Sequence, residues 1–433
     1  MKTKWAWLGA CVIMGNLSVF AQDKPLSIQE AIQLATTQSK EARAADTKVA
    51  SKKLELGVAK NKRLPDASIS GQFSMMSTPD INFRIPMGEG GAPDIKANQM
   101  MLGQANVSMP IYAGGKIKNS IHIAENAVEA EQFAALNTKE QLASQAIKLY
   151  VALYKAQQTA KLMQENIKRA EQQVTDFKAM EENGLIARND LLKSELQLSN
   201  YQVALQEANK NVNVVNYQLV TLLQLDENTH FYQIDFSNEN SLLTNDFTAE
   251  TALANRNDLK MLEAQHQIAE NQLKISKAGY LPTLALTGGY MAADVKNVIS
   301  ITNALNVGVG LSYDLGSLYK NKKKVAVAKH RIQEVEEQIA IANDRVKVQV
   351  QQANENFDLA QQQAKVYTQA VEQAAENYRI VKDKYDNGVA DTDDLLEADV
   401  QQLQSKINEA VSKANVIEKY YDLLLANGQL ISK

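Results

Sequence analysis

The sequence predicts a mainly α-helical chain with a small β part, built twice over from a long helical hairpin and a β-hairpin. Three observations carry this. Asn183-Gly-Leu-Ile-Ala-Arg-Asn-Asp190-Leu-Leu192 recurs 204 positions later as Asn387-Gly-Val-Ala-Asp-Thr-Asp-Asp394-Leu-Leu396. Four short stretches alternate apolar with polar residues, the period of a strand with one apolar face. Two long proline-free stretches, from about 116 to 183 and from about 318 to 387, carry helical spacing throughout.

The chain opens Met-Lys-Thr-Lys and then runs apolar from Trp5 to Phe20, with Val19-Phe-Ala21 ahead of Gln22. That is the pattern of a secretory signal peptide over 1–21. Leu8-Gly-Ala-Cys11 offers a competing lipoprotein cleavage box, with too few apolar residues before it for an ordinary signal. Cleavage after Ala21 leaves a mature chain without cysteine, so disulfides and thiol chemistry are not expected. The four histidines, His122, His230, His266 and His330, share no metal-like spacing and read as solvated surface. A net charge of −4 gives no nucleic-acid footprint. Neither a metal nor a cofactor is expected.

A first repeat spans 22–225. Its opening helix, about 27–62, follows Ser27 with Glu30 three residues on, a capping-box pattern. After Pro65, Ile69, Gly71, Phe73 and Met75 alternate with Ser68, Ser70, Gln72 and Ser74. Met101, Gly103, Ala105, Val107, Met109 and Ile111 form the partner strand, closing a β-hairpin over about 67–111 around a Pro- and Gly-rich loop. The long helix then leads to the tip at 183–190 and back along Leu198, Tyr201, Leu205, Ala208, Val212, Val215, Leu219 and Leu222. That three-four step is a coiled-coil seam. Residues 226–247 lose the period and connect the repeats across the outside of the helices.

The second repeat, 248–433, follows the same plan. Ala35 aligns with Ala252 and Pro65 with Pro282, a shift of 217. Leu284, Leu286, Gly288 and Tyr290, then Val307, Val309, Leu311 and Tyr313, mark a β-hairpin over about 283–314, with a loop near 292–304. The second tip lies at 387–394. Each tip glycine, Gly184 or Gly388, reads as a helix stop in the left-handed conformation. The acids that follow suit the positive end of the next helix.

Four strands of about ten residues have the length that crosses a bilayer. They cannot close a barrel, which needs at least eight, and an open edge cannot survive in lipid. Several chains must therefore share one wall: two copies give eight strands, three give twelve. A soluble four-stranded sheet is the plain alternative. Lys116 and Lys118 after the second strand, and Lys320, Lys322, Lys323 and Lys324 after the fourth, either meet lipid headgroups or form a solvated charge run.

With these features the chain resembles the TolC-like outer-membrane efflux and secretion channels. The resemblance rests on the signal peptide, the duplicated hairpins, Met109-Pro-Ile-Tyr-Ala-Gly-Gly115 closing a strand, and Gly-x5-Asp-x-Leu at both tips. It implies a homotrimer in outer-membrane lipid, with a twelve-stranded outer-membrane β-barrel continued by a periplasmic α-helical barrel. It implies a passive conduit that serves an inner-membrane pump through a periplasmic adaptor and has no enzyme activity. Adaptor docking would fall to Gly184, Leu185, Ile186, Ala187, Gly388, Val389 and Ala390. A gate would fall to Asp190 with Tyr385, and to an acidic ring of Asp394 and Glu397. Plain turn chemistry and helix capping account for the same tip residues. Ala390 stands where the family sometimes has a basic gate residue. A periplasmic coiled-coil adaptor is the alternative reading, although adaptors usually carry a single hairpin.

Overall fold

A computed structural model describes residues 25–77, 98–231 and 247–431. The signal peptide with Cys11, the first β-hairpin's loop and most of the connecting segment lie outside the described residues. The helices are α1 (Ile28–Thr37), α2 (Lys40–Asn61), α3 (Lys116–Glu182), α4 (Arg188–Leu223), α5 (Ala249–Asn255), α6 (Asn257–Ala278), α7 (Ser317–Asp386) and α8 (Thr392–Ala426). The strands are β1 (Asp66–Met75), β2 (Gln99–Tyr112), β3 (Thr283–Val295) and β4 (Ile299–Ser312). The described residues form two compact units. One lies within Met1–Ala42, Lys139–Thr248 and Val350–Lys433, the other within Arg43–Thr138 and Ala249–Gln349. Each unit draws on both sequence repeats.

The first unit is helical. Ile147, Tyr150, Val151 and Leu153 of α3, Leu219, Val220 and Leu223 of α4, and Ile417, Tyr421 and Leu424 of α8 bury their side chains together. Three-four spacing puts each set on one face of its helix, and burying that face is what holds helices together in water. Leu26 and Ile28 cover one side of the cluster, and the Tyr150 hydroxyl donates to the Leu26 carbonyl at 2.8 Å. Tyr420 sits against Phe357 and Tyr421, with ring centroids 6.1 and 5.7 Å apart.

The expected opening helix over 27–62 is two helices. Ser27 caps α1 as expected, accepting from the Glu30 amide at 3.1 Å. Ser39 then starts α2, because its buried hydroxyl accepts from the Ala42 amide at 3.2 Å. The matching stretch of the second repeat breaks at Arg256, whose guanidinium grips Asp258 at 2.7 Å.

The second unit holds one antiparallel sheet in the order β1-β2-β3-β4. Its register sorts the residues by face. Ile69 pairs with Ala105, Ala105 with Tyr290, and Tyr290 with Leu305. Val107, Gly288 and Val307 form the next apolar row, and Met109, Leu286 and Val309 the one after. The opposite face carries Ser68, Asn106, Gly289 and Asn306, then Ser108, Thr287 and Gly308. The apolar face is bare. Leu305 is 80% exposed, Val307 84% and Leu311 68%.

The second hairpin is tighter than the loop expected near 292–304. Strands β3 and β4 continue to Val295 and from Ile299. Asn297 makes the turn at φ 66°, and the Val298 amide bonds the Val295 carbonyl at 2.9 Å. Asn tolerates the left-handed region, so the three residues 296–298 suffice to join the strands. At the other end, Gly114 at φ 61° lets β2 turn into α3. A Cβ there would meet the Ala278 carbonyl at 2.9 Å, which accounts for Gly114, and Gly115 follows at φ 84°.

His266 departs from the solvated reading. Its side chain is only 17% exposed, with Nε2 3.5 Å from Glu336, and among the described residues its buried Nδ1 has no hydrogen bond. Among the described residues no helix is long and apolar enough to cross a membrane, and no group of three or more His, Cys, Asp or Glu is placed to hold a metal.

Candidate functional site

The two hairpin tips share the same backbone turn. Gly184 has φ 69° and Gly388 has φ 71°. The Gly184 amide bonds the Glu181 carbonyl at 2.9 Å, and the Leu185 amide reaches back to Met180 at 2.8 Å. Gly388 bonds Tyr385 at 2.9 Å and Val389 bonds Lys384 at 2.8 Å. Both are Schellman turns, which satisfy the last carbonyls of a helix and demand the left-handed residue found there. Space around both glycines is open. Leu185 and Val389, the next residues, are 71% and 75% exposed. Ile186 and Ala390 are half-buried and Ala187 is exposed.

The tips differ in how the returning helix begins. Asp391 caps α8, accepting from the Asp394 amide at 2.9 Å, while the Asp394 carboxylate accepts from the Asp391 amide at 3.4 Å. Ala187 occupies the same place before α4 and makes no side-chain cap. A missing cap costs about 1 kcal/mol, so α4 starts less firmly than α8. Asp190 lies in the first turn of α4, 4.0 Å from Lys193.

Side chains of both hairpins join just inside the tips. Phe177 of α3, Leu191 of α4 and Leu395 of α8 are buried together, with Tyr378, Val381 and Tyr385 of α7 packed on them. The Tyr385 ring stacks on Phe177, centroids 5.6 Å apart. Lys193 of α4 binds Asp393 of α8 at 2.8 Å. The Tyr385 hydroxyl is buried and, among the described residues, has no hydrogen bond. Burial pushes this phenol up, Asp190 and Asp386 add to the rise, and Thr392 offsets part of it. Tyr385 and Asp190 are thus brought near each other without a bond inside one chain. Asp394 and Glu397 are both exposed, one helical turn apart, with Gln401 donating to Glu397 at 3.0 Å.

A polar cluster farther along the same helices was not singled out by its sequence. Asp399 of α8 is 4% exposed. The Tyr201 hydroxyl of α4 donates to it at 2.9 Å, and the Asn166 amide of α3 at 3.2 Å. Arg169 lies 3.9 Å from the other carboxylate oxygen and donates to Asn166. Burial first, then the Asp399 charge, pushes the Tyr201 phenol well up, so it stays a donor. Desolvation and the Arg169 charge together pull Lys406 down. Beside this cluster lie the buried Ile167, Ala170, Tyr201 and Leu403. One carboxylate therefore ties three helices together inside an otherwise apolar seam. The step read along α8, Leu396, Val400 and Leu403, passes Asp399 by, whereas the packing buries Leu395, Ala398 and Asp399 and leaves Val400 exposed.

The family described as outer membrane efflux protein matches residues 31–223 and 248–429. A protein of Brucella suis biovar 1 (strain 1330), described as outer membrane efflux protein BepC, is 21% identical over 378 residues, covering 87% of this chain and 79% of that protein. The outer membrane protein VceC of Vibrio cholerae superposes with a TM-score of 0.77 at 15% identity, over 93% of this chain and 96% of that one. The Campylobacter jejuni CmeC outer membrane channel gives a TM-score of 0.78 at 16% identity, over 93% and 86%. At such identities the two structures establish the fold.

Asp399→Ala leaves the Tyr201 and Asn166 donors buried without an acceptor. It should lower stability by about 2–3 kcal/mol, with Asp399→Asn milder. Thermal unfolding of the purified protein, followed by helical circular dichroism, reads both; an alanine variant that melts with the wild type would remove the cluster from the account.

Proposed function

Since the chain belongs to the outer membrane efflux protein family and is the outer-membrane channel of a tripartite export system, we propose how its own residues form the channel and meet their partners. Three copies set their sheets edge to edge and close a twelve-stranded barrel. The observation that carries this is the bare apolar face shared by all four strands, together with β1 and β4 standing at opposite edges of the sheet. In water such a face is unfavourable, at about 25 cal/mol per Å² of apolar surface. In lipid it is the natural outer wall, with the Ser, Asn, Gln and Thr rows turned to a wet lumen.

The two sequence repeats, 22–225 and 248–433, each supply one β-hairpin and one helical hairpin, and the connecting segment 226–247 joins them. The family match falls in two blocks on either side of that segment, in keeping with the duplication. Channels of this family work with an adaptor and a pump. A periplasmic adaptor seats on the tips, against Leu185 and Val389, with Gly184, Ile186, Ala187, Gly388 and Ala390 giving it room to approach. Two exposed apolar side chains beside open glycines favour that contact, since nothing among the described residues covers them.

Conduction is passive and the tips gate it. Asp394 and Glu397, repeated around a three-fold axis, line the closed end with six carboxylates, a ring that favours cations. Tyr385 and Asp190, near each other but unbonded in one chain, are poised to tie the hairpins when the tips close. The buried, unbonded Tyr385 hydroxyl supports this, because a buried donor without an acceptor is costly and small movements of the tip decide whether it finds one. Partners open the channel by binding the open arrangement of the tips better than the closed one.

Leu185→Asp with Val389→Asp strains no backbone and should leave the oligomer intact while abolishing export. Export at the wild-type rate by a correctly assembled variant would refute tip docking. Tyr385→Phe with Asp190→Ala should raise single-channel conductance several-fold in a planar bilayer, and an unchanged conductance would remove this pair from the gate. On the sheet, Val307→Lys should weaken insertion by about 2–4 kcal/mol, whereas Asn306→Lys on the other face should be tolerated. Urea unfolding in lipid vesicles compares them, and equal effects would contradict the assignment of faces.

A further inference from the structure

Cations gather at all four junctions between helix and strand. Lys60, Lys62 and Arg63 close α2 before β1, and Lys116 and Lys118 open α3 after β2. Lys274 and Lys277 close α6 before β3, and Lys320, Lys322, Lys323 and Lys324 open α7 after β4. These stretches hold eleven cationic side chains against two carboxylates, Asp66 and Asp314, in a chain whose formal net charge is −4. Asp314 is engaged with the backbone of its own turn, accepting from the Gly316 amide at 2.9 Å.

Three further features separate this belt from an ordinary solvated charge run. The first is pairing. Elsewhere lysines meet carboxylates, as in Lys155–Glu418 at 2.7 Å and Lys193–Asp393 at 2.8 Å. None of the eleven has a carboxylate partner among the described residues; Lys274 bonds only the Asn271 amide oxygen, at 3.2 Å. The second is helix polarity. Each of the other six helices places a carboxylate in its first turn, whereas α3 and α7 place none and carry lysines within their first two turns instead. Cations at the positive end of a helix are disfavoured, so these two helix starts call for an outside anion. The third is position. Exposed Tyr112, Tyr313 and Tyr319 stand at the same ends of the strands, beside exposed Leu281, Leu315 and Leu318. Tyrosines with their polar tips in water and their rings in an apolar layer mark a membrane interface. The Lys320 ammonium lies 5.8 Å above the Tyr319 ring.

We propose that this belt binds the headgroup phosphates of anionic phospholipids in the periplasmic leaflet, and so sets how deeply the barrel sits. The inference rests on the reading of the sheet as part of an outer-membrane barrel. Tyrosines and leucines reach the acyl boundary, while the lysines just beyond them take the phosphates. A lysine near an anionic surface is worth about fivefold in partition, so four on α7 alone give a clear lipid preference.

Native mass spectrometry of the detergent-purified processed protein, given equal phosphatidylglycerol and phosphatidylethanolamine, counts the lipids retained. Planar-bilayer conductance of the same preparation reads the barrel separately. Wild type should retain phosphatidylglycerol over phosphatidylethanolamine by about tenfold or more, less so as salt screens the charges. The quadruple variant Lys320→Gln, Lys322→Gln, Lys323→Gln, Lys324→Gln should lose most of that preference with conductance intact, and the four Lys→Arg changes should keep it. Equal preference in wild type and the glutamine variant, with both conducting, would overturn the belt and leave the barrel standing. Binding of isolated peptidoglycan in place of lipid would overturn the choice of ligand. Loss of conductance in wild type itself would overturn the barrel and the belt together.

Discussion

Backbone hydrogen bonding at a sheet edge is the constraint from which the rest follows. The four strands satisfy one another internally, but β1 and β4 each present an outer row of amides and carbonyls to no further strand among the described residues. In water such an edge is hydrated. In a bilayer each unmet group costs several kcal/mol, and the apolar face of this sheet belongs in a bilayer. A chain with too few strands to close alone can satisfy both demands only by lending its edges to other copies. Register sorts the two faces, because the period of two that puts Val307 on the apolar face puts Asn306 on the polar one.

Along the chain, β2 and β4 lead directly into α3 and α7, helices of 67 and 70 residues. Helices of that length need seams, and theirs are apolar at the main core and again at the tips. Between these lies the Asp399 cluster. A buried carboxylate is a poor source of net stability compared with apolar packing. Its geometry is better suited to register: it accepts from α3 and α4 at once, so sliding α8 against either would strand a charge. The tips combine identical Schellman turns with unequal caps. The capped α8 start and uncapped α4 start make one side of the tip the firmer, while Tyr385, stacked but unbonded, sits between them.

Much of this was legible in the residues. Strand positions, tip glycines and the limits of the long helices all follow from period and from the two residue types that punctuate it. The breaks at Ser39 and Arg256 were not, because each depends on a side chain turning back on its own backbone or neighbour rather than on any change of pattern. Asn297 hid a tight turn inside what read as a loop, since alternation in β3 and β4 weakens toward it. Asp399 and Tyr201 were hidden for another reason. Tyr201 fits the apolar step and Asp399 falls beside it, and only the packing of three helices shows that the one answers the other. The gate and docking residues were named by resemblance, and their chemistry in one chain is that of caps, turns and a single orphaned hydroxyl.

Edge sharing can be tested at the seam itself. Within one chain β2 and β3 separate β1 from β4 by about 14 Å, too far for a disulfide, which needs Cα atoms closer than about 7 Å. A cysteine replacing Ser70 on β1, combined in turn with one replacing Asn306, Gly308 or Gly310 on β4, can therefore link only between chains. Oxidation in outer-membrane vesicles should give, for at least one pairing, a ladder on denaturing gels that ends at three chains. If every pairing leaves monomers, or if the ladder continues past three, the shared twelve-stranded wall is wrong.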